Sequence, residues 1–538
     1  MQLPWAAFLA SALWVGIIAR ECPPTRGEYW QIWMAGAIMW LALLQGIRLA
    51  FWPLYLGWIA LALYVAVYLP LFIAMGRSLH HRWRFPLPVA AATAWVGCEL
   101  IRAYFATGFA ACMLAHSQTP WPWMLPIASQ FGSYGVSYVV MFMGALIYQW
   151  ATWAYARRYG LPWVRGNGSL LANISFSVFA LAVVLGFATY LQSYERWIAE
   201  QEPIKPLGRI ALIQENMPTQ FDSDFQDAEL GWQRYEQQTS IVAQTTRSSG
   251  VDLVVWPEST FSRGVPWFDW DSSGVPKEFG ESDRQFAQRY ESIQGNHRYK
   301  LSRLYEPFEG KPPYFLVGTD AYKIRAKSLS RFNTALWLDP SKLGEAEYYG
   351  KQHLVMFGEY IPVVSWFPEI LARFGMGVLA AGEDVPSWQL PSGAVISTTI
   401  CFEDVLPHVV RARIAKQSAN GKSPDLLVNI TNDGWFRGSS ILDHHLNNAI
   451  LAAVENRRPM LIAANLGISA WIDSNGRVVR SIPRLEAGFI LTEPKPDGRW
   501  GLWQSVGDWP ARLLAIVSLF PILLGLAKGF LKTRPLSN

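Results

Sequence analysis

The chain has 538 residues, of which 51% are hydrophobic and only 16% are charged, and its net charge at pH 7 is +5. Ordinary soluble domains carry roughly 25% charged residues, so this composition argues against a wholly soluble protein. The small net charge, without a run of Lys or Arg, gives no indication of a nucleic-acid partner. Charge is also unevenly placed, because residues 1–195 are rich in Trp, Leu, Ala and Phe whereas residues 200–510 resemble a soluble α/β protein.

Apolar stretches of about 20 residues, long enough to cross a membrane, flank the polar half on both sides. Core helices of a soluble protein are the alternative, but seven stretches bordered by Trp, Tyr and Arg favour membrane spans. The first stretch resembles a signal peptide only weakly, because it lacks a basic leading segment and a clear cleavage site. The predicted spans are residues 4–19, 30–49, 53–75, 86–105, 132–155, 170–192 and 512–530.

The distribution of arginine orients these spans. The connections 76–85 and 156–169 carry three Arg each, whereas the connection 106–131 carries neither Lys nor Arg. Because Lys and Arg are retained on the cytoplasmic side, the first two connections are predicted to be cytoplasmic. Alternation then places residues 195–510 outside the cytoplasm. It also places Met1 outside, and one interpretation is that a further helix precedes this sequence.

Two charged residues lie within the fourth predicted span. Glu99 and Arg102 are three residues apart and therefore share one face of a helix. Charged side chains at membrane depth usually face a cavity or each other. We expect either mutual neutralisation near the membrane surface or a role in a substrate pocket.

The four cysteines are Cys22, Cys98, Cys112 and Cys401. Only Cys401 lies in the polar half, so that half cannot contain an internal disulfide. A lone thiol in such a domain is either buried and inert or a nucleophile.

The polar half alternates short apolar runs with amphipathic helical patterns, which predicts a layered α/β fold. A polar stretch at 262–313, interrupted by Pro and Gly, is predicted to be a loop-rich insertion. The predicted strands are residues 209–213, 252–256, 314–318, 333–338, 395–400, 425–430 and 460–464, and the predicted helices are 226–248, 405–417 and 441–457.

Chemically reactive side chains follow three of these apolar runs. LVVWPEST carries Glu258, YYGKQHLVMFGEYIP carries Lys351 and Glu359, and VISTTICFEDVLP carries Cys401 just before a helix predicted to begin at about Val405. The carboxyl ends of strands in α/β sheets meet at one rim, so these side chains are expected to converge. The helix dipole is expected to favour the thiolate of Cys401.

These three blocks, in this order, resemble the carbon–nitrogen hydrolase (nitrilase) superfamily. With apolar helices on both sides, the resemblance narrows to the apolipoprotein N-acyltransferase family, and NITNDGWF (429–436), NLGISAWID (465–473) and ELIRAYFATGF (99–109) extend it over nearly the whole chain. Two departures are Met356, where the family usually has Pro, and the lack of a Trp often found after MPTQFD.

The resemblance implies an α-helical transmembrane bundle joined to an extracytoplasmic, nitrilase-like α-β-β-α sandwich. The expected domains are a bundle of about six spans at 1–195, a catalytic domain at 196–505, and a final span with a cytoplasmic tail at 506–538.

The resemblance also implies the roles of the reactive side chains. Cys401 would attack an ester carbonyl, and Glu258 would accept and return the thiol proton. Lys351 and the backbone N–H of Phe402 would stabilise the oxyanion. Taken singly, Glu258 would be read as a helix-entry carboxylate and Lys351 as a surface residue, so the prediction depends on their joint occurrence.

Other residues are assigned supporting or open roles. Glu359 is expected to hold and neutralise Lys351, and Glu403 resembles a second supporting carboxylate of the family. Trp435 either lines the substrate pocket or is a packing residue. Structural roles are expected for three histidines, and the apolar segment 361–381 is either an arm dipping toward lipid or a buried core stretch. The histidines are His353, His444 and His445.

The implied reaction moves an acyl chain from a membrane phospholipid, through a Cys401 thioester, to the α-amino group of the N-terminal diacylglyceryl-cysteine of a lipoprotein. We expect a multi-pass protein of the bacterial inner membrane, a monomer, with its catalytic domain on the periplasmic side and with neither metal nor cofactor. The rival hypotheses are a membrane-tethered amidase or nitrilase for a small soluble substrate, and a non-catalytic membrane scaffold.

Overall fold

The structure is a computed structural model that describes residues 3–50, 54–159, 205–217, 225–261, 266–276, 280–342, 345–356, 358–360 and 379–532, with residues 52 and 219 and scattered positions between 175 and 193. Its α-helices are α1 (Pro4–Ala19), α2 (Arg26–Leu43), α3 (Leu54–Ala66), α4 (Tyr68–Arg77), α5 (Leu87–Tyr104), α6 (Pro126–Arg158), α7 (Phe225–Thr245), α8 (Asp283–Tyr305), α9 (Pro407–Ala419), α10 (Ile441–Asn456), α11 (Leu502–Val506) and α12 (Trp509–Lys532).

Six of the seven predicted spans coincide with helices α1 to α6 and α12. The predicted span 170–192 and the segment 361–381 lie mostly outside the described residues. By length and apolar composition, two of the described helical stretches suffice to cross a membrane. These are Leu54–Arg82, with mean hydropathy 2.2, and Pro126–Arg158, with mean hydropathy 1.4, while Pro4–Ala19 and Trp509–Gly525 are shorter apolar helices.

Helix α6 is broken near its start, at Gly132, whose φ is +66° and ψ is −173°. A Cβ there would lie 2.5 Å from the ring of Trp503, so only glycine fits both the conformation and the space. The N–H and hydroxyl of Ser133, which open the second part of the helix, each donate to Glu455 Oε1 at 2.6 Å. A carboxylate from α10 thus caps a helix of the N-terminal bundle.

The described residues of the polar half form two sheets. The strands are β1 (Ile210–Gln214), β2 (Leu253–Val255), β3 (Trp267–Trp270), β4 (Tyr314–Arg325), β5 (Ser328–Leu338), β6 (Ala346–Gly350), β7 (Trp388–Gln389), β8 (Val395–Ile400), β9 (Leu426–Asn432), β10 (Met460–Asn465), β11 (Ser469–Ile472), β12 (Val478–Ile482) and β13 (Gly488–Thr492). The first sheet has the order β13-β1-β2-β4-β5-β6, with β3 paired to β4, and the second has the order β12-β11-β10-β9-β8-β7.

The sheets stack face to face because their central strands are apolar on both sides. Alternate residues of β9 show this, since Val428 and Ile430 lie between the sheets whereas Leu427 faces outward. Helices α7 and α8 cover the outer face of the first sheet. Helices α9 and α10 cover the outer face of the second, and their other side packs against α5 and α6. This arrangement confirms the predicted α-β-β-α sandwich.

The prediction of a loop-rich insertion at 262–313 is wrong. This stretch contains β3 and α8, a helix of 23 residues. The helix begins at a capping box, in which Ser282 N–H donates to Gln285 Oε1 at 2.9 Å and Gln285 N–H donates to Ser282 Oγ. It buries Phe286, Leu301 and Leu304, a sparse apolar stripe that the polar composition of the stretch obscures.

Candidate active site

The structure brings together the three residues predicted to be catalytic. Glu258 follows β2, Lys351 follows β6, and Cys401 follows β8, so two come from the first sheet and one from the second. The Nζ atom of Lys351 lies 3.8 Å from Glu258 Oε1, and both residues act on the pKa of Cys401. The carboxyl ends of strands in the two stacked sheets therefore meet at one site.

Glu258 is buried, with 6% of its surface exposed. Its Oε1 accepts a hydrogen bond from Asn333 Nδ2 at 2.6 Å, and its Oε2 accepts one from the N–H of Asn432 at 2.8 Å. Burial raises the pKa of Glu258 above its usual value, although Lys351 acts in the opposite direction. A carboxylate with a raised pKa is suited to accept and return a proton near neutral pH.

Lys351 is almost completely buried, with 1% exposed. Its Nζ donates to Glu359 Oε1 at 2.8 Å, a shorter contact than that to Glu258. Burial disfavours the ammonium, but the carboxylates of Glu359 and Glu258 outweigh it and raise the pKa of Lys351. Lys351 is therefore a fixed cation and not a base. Glu359 is itself held by the N–H of Val355, which donates to its Oε2 at 2.8 Å.

Cys401 occupies a strained turn between a strand and a helix. Its φ is +50°, a left-handed conformation that costs a non-glycine residue of order 1–2 kcal/mol. The residues after it form a 3₁₀-helix, Cys401–Val405, and the α-helix begins at Pro407, two residues later than predicted. Strained strand-to-helix turns also position the nucleophile in other enzymes.

The surroundings of Cys401 disfavour its thiolate in the resting protein. Burial, together with the negative charge of Glu258, raises the pKa of Cys401 to about 12, although Lys351 lowers it. The resting nucleophile is therefore a thiol, and it needs a base to remove its proton. Glu258 is the carboxylate whose charge acts most strongly on this thiol.

Glu403 connects the segment after Lys351 to the Cys401 turn. Its Oε1 accepts hydrogen bonds from the Tyr349 hydroxyl at 2.6 Å and from Gln352 N–H at 2.8 Å, and its Oε2 accepts one from Ile400 N–H at 2.8 Å. Arg413 stands beside it, with Nη2 3.5 Å from Glu403 Oε1. This fully buried carboxylate fixes the two segments relative to each other.

Three site residues were not predicted from the sequence. Asn333 of β5 donates to both Glu258 and Glu359, at 2.6 and 3.1 Å. Tyr349 and Arg413 complete the surroundings of Glu403, with the guanidinium 4.0 Å from the tyrosine ring centre. The one signal in the sequence was the position of Asn333 at the start of the apolar run NTALWL, because an amide in a buried strand needs a hydrogen-bond partner.

The remaining predicted residues lie around this centre. Phe402 occupies the first turn of the 3₁₀-helix, where backbone N–H groups have no partner within a helix. Its ring lies near that of His353, with centroids 6.4 Å apart. Trp435 is half-buried in the 3₁₀-helix after β9, and this helix contacts the connection 45–49 of the bundle.

Glu99 and Arg102 are both buried in α5. Glu99 Oε1 accepts hydrogen bonds from the Trp95 indole at 2.8 Å and from Leu114 N–H at 2.7 Å. The guanidinium carbon of Arg102 lies 5.0 Å from the ring centre of Trp40. Each charge thus has its own partners, and no direct ion pair joins the two among the described residues.

Both halves of the chain match families of known proteins. A family model described as the apolipoprotein N-acyltransferase N-terminal domain matches residues 1–146, and one described as carbon-nitrogen hydrolase matches residues 209–497. The apolipoprotein N-acyltransferase of Rhodopirellula baltica is 32% identical, covering 93% of this chain and 90% of that protein. Apolipoprotein N-acyltransferase 1 of Treponema denticola is 25% identical, covering 88% and 84%. The crystal structure of an amidase from Nesterenkonia sp. is 17% identical with a TM-score of 0.36, covering 58% and 99%.

Proposed function

Since the chain belongs to the apolipoprotein N-acyltransferase family, we propose that it moves an acyl chain from a membrane phospholipid to the α-amino group of the N-terminal diacylglyceryl-cysteine of lipoproteins. The observation that carries the chemistry is the grouping of Glu258, Lys351 and Cys401, which supplies a base, a fixed cation and a nucleophile within one site. These are the parts that acyl transfer requires.

In the first half-reaction, Glu258 takes the proton of the Cys401 thiol, and the sulfur attacks the ester carbonyl of the phospholipid. Lys351 and the N–H of Phe402 stabilise the oxyanion while the C–S bond forms. The C–O bond then breaks, and Glu258 returns the proton to the alkoxide of the departing lysophospholipid. A single oxyanion donor of this kind is typically worth about 10²–10³ in rate.

In the second half-reaction, the α-amino group of the acceptor attacks the thioester carbonyl. The C–N bond forms, Glu258 takes a proton from the amine, and the same oxyanion donors act again. The C–S bond breaks, and the thiol of Cys401 recovers its proton from Glu258. The enzyme therefore ends in its starting state and needs no other reactant.

We further propose that helices α1 to α6 and α12, with the stretch 170–192, form a multi-pass bundle in the bacterial inner membrane. The catalytic half packs on one end of the described helices, where Thr119 Oγ1 donates to Asn447 Oδ1 at 2.7 Å. The opposite end holds Arg77, which donates to the carbonyls of Ile17 and Ile18 at 3.0 and 3.1 Å. Arginine-rich connections at the far end favour a periplasmic catalytic domain.

The proposed domain boundaries remain 1–195, 196–505 and 506–538, and we propose a monomer. Trp435, Glu99 and Arg102 are proposed to border the substrate pocket. Support for this comes from Trp435, whose 3₁₀-helix contacts the bundle, and from α5, whose end packs against α9. A pocket at this junction would open where both lipid-linked substrates are held.

An amidase acting on a small soluble substrate would share the catalytic residues but would gain nothing from helices packed under the site. The two functions are separated by incubating the purified protein with phospholipid vesicles and measuring its mass. Acyl transfer predicts an adduct of one fatty acyl group on Cys401, and Cys401→Ala serves as the control. An unmodified wild-type protein that hydrolyses small amides would instead support the amidase.

A further inference from the structure

His445 of α10 binds a buried carboxylate with each of its ring nitrogens. Its Nδ1 lies 3.0 Å from Asp433 Oδ1, and its Nε2 lies 3.0 Å from Asp404 Oδ1. The exposed fractions are 9% for His445, 3% for Asp433 and 2% for Asp404. The reaction steps described above assign no role to this chain of three titratable groups.

The two contacts fix the number of protons in the chain. A neutral imidazole has one N–H and can donate to one carboxylate only. Burial disfavours the imidazolium, but Asp404 and Asp433 outweigh burial and raise the pKa of His445 well above its usual value. Burial also raises the pKa of Asp404. The chain therefore holds one added proton at neutral pH, on the imidazole or on Asp404.

One end of the chain lies on the turn that carries the nucleophile, and the other lies beside a backbone N–H that donates to the base. Asp404 belongs to the 3₁₀-helix Cys401–Val405, so it moves with the nucleophile. Asp433 directly follows Asn432, whose N–H donates to Glu258 Oε2 at 2.8 Å. A path of short polar contacts and one backbone link, between Asp433 and Asn432, thus runs from the Cys401 turn through His445 to the carboxylate of the base.

We propose, on the basis of the acyl transfer proposed above, that His445 is a positioning residue. Its contacts with Asp404 and Asp433 form a clamp that holds the Cys401 turn in the position relative to Glu258 that proton transfer requires. The strained φ of Cys401 explains why such a clamp is needed, because a turn at +50° relaxes unless its surroundings hold it. A misplacement of about 1 Å between reacting groups costs about 10² in rate.

The test exploits hydrogen-bond polarity. In His445→Gln, the amide nitrogen donates to one carboxylate, and the amide oxygen then faces the other carboxylate. Because two acceptors cannot form a hydrogen bond with each other, one of the two contacts is lost and the clamp opens. Adding Asp404→Asn supplies an amide N–H that donates to this amide oxygen. Both contacts of residue 445 are then restored, although residue 445 carries no charge. His444→Gln is the matched control, since it makes the same change at the next position, on another face of α10.

We expect acylation of Cys401 from phosphatidylethanolamine vesicles, followed by mass in a single turnover, to be about 10²-fold slower in His445→Gln. The double variant should return to within about tenfold of wild type, and His444→Gln should match wild type. Alkylation of Cys401 by iodoacetamide should follow the same order, because it too depends on removal of the thiol proton.

Wild-type rates in His445→Gln would overturn the proposal. So would a double variant that melts like wild type yet stays as slow as His445→Gln, because a side chain that only fills space is not rescued by a change of hydrogen-bond polarity. Should His445→Gln fail to fold, the folded double variant alone decides between these outcomes. If the wild-type protein is alkylated but never acylated, the proposed function is wrong. The alkylation rates of the variants would still test whether His445 positions Cys401.

Discussion

The buried carboxyl group of Glu455 makes the stability of the protein depend on pH in a predictable direction. Its Oε1 accepts hydrogen bonds from the N–H and hydroxyl of Ser133, both at 2.6 Å, where α6 restarts after its break. Burial raises the pKa of Glu455 from its usual 4.5 to about 7, although both hydrogen bonds act against this. The folded protein therefore binds a proton at Glu455 more tightly than the unfolded chain does.

The sign and size of the effect follow from this difference. Stability from the protonated group is fully present below pH 4.5 and is lost as the pH rises through about 7. Each pKa unit corresponds to ~1.4 kcal/mol, so the loss reaches at most about 3 kcal/mol by pH 8. Glu455→Gln stays neutral throughout and keeps an oxygen for Ser133. It should equal wild type near pH 5 and exceed it by about 2–3 kcal/mol at pH 8.

The measurement is the free energy of unfolding, or the melting temperature, of both proteins in the same detergent between pH 5 and 8. Comparing the two at each pH cancels the titration of every other group. Glu455→Ala is the control for the cap itself: like Glu455→Gln it does not titrate, so it should be less stable than Glu455→Gln by about 1–2 kcal/mol at all pH values. Parallel curves for wild type and Glu455→Gln would refute the reasoning, because the raised pKa would then be absent.

Three further predictions concern the site and its orientation. Cys401→Ala and Cys401→Ser should abolish acyl-enzyme formation while melting like wild type, and normal turnover by the alanine variant would sink the mechanism. Lys351→Arg should be nearly as slow as Lys351→Ala, with a rate about 10² below wild type, because a planar guanidinium cannot replace one compact charge. If Lys351→Arg kept a tenth of the wild-type rate, any cation at this position would suffice. With other cysteines removed, an impermeant thiol reagent on intact cells should label Ser272→Cys and spare Ser78→Cys, and the reverse pattern would overturn the proposed orientation.

The convergence of the catalytic residues could be predicted because it follows from local patterns. Apolar runs of five or six residues before Glu258 and Cys401 indicate strands whose carboxyl ends share a rim, whereas strand β6 before Lys351 was not among the predicted strands. The structure places strands at all seven predicted runs and joins Glu258 to Lys351 across 3.8 Å. The blocks around Glu258, Lys351 and Cys401 also carried the family resemblance, and family membership is confirmed by the comparison with known proteins.

The partners of these residues could not be predicted, because they come from distant parts of the sequence. Asn333 lies 75 residues from Glu258, and Arg413 lies 64 residues from Tyr349. Nothing local distinguishes such an amide or guanidinium from a surface side chain. The raised pKa of Cys401 could not be predicted for a related reason, since the helix position is visible in the sequence whereas the degree of burial is not.

The placement of two carboxylates around one lysine explains how Glu258 remains a usable base. A carboxylate paired directly with a buried ammonium has a depressed pKa and accepts protons poorly. Here Lys351 is bound by Glu359 at 2.8 Å and stands 3.8 Å from Glu258. Glu359 therefore neutralises most of the cation, and burial raises the pKa of Glu258 despite its neighbour. Asn333 donates to both carboxylates and fixes their positions, so that Glu359 holds the oxyanion donor while Glu258 remains available for the thiol proton.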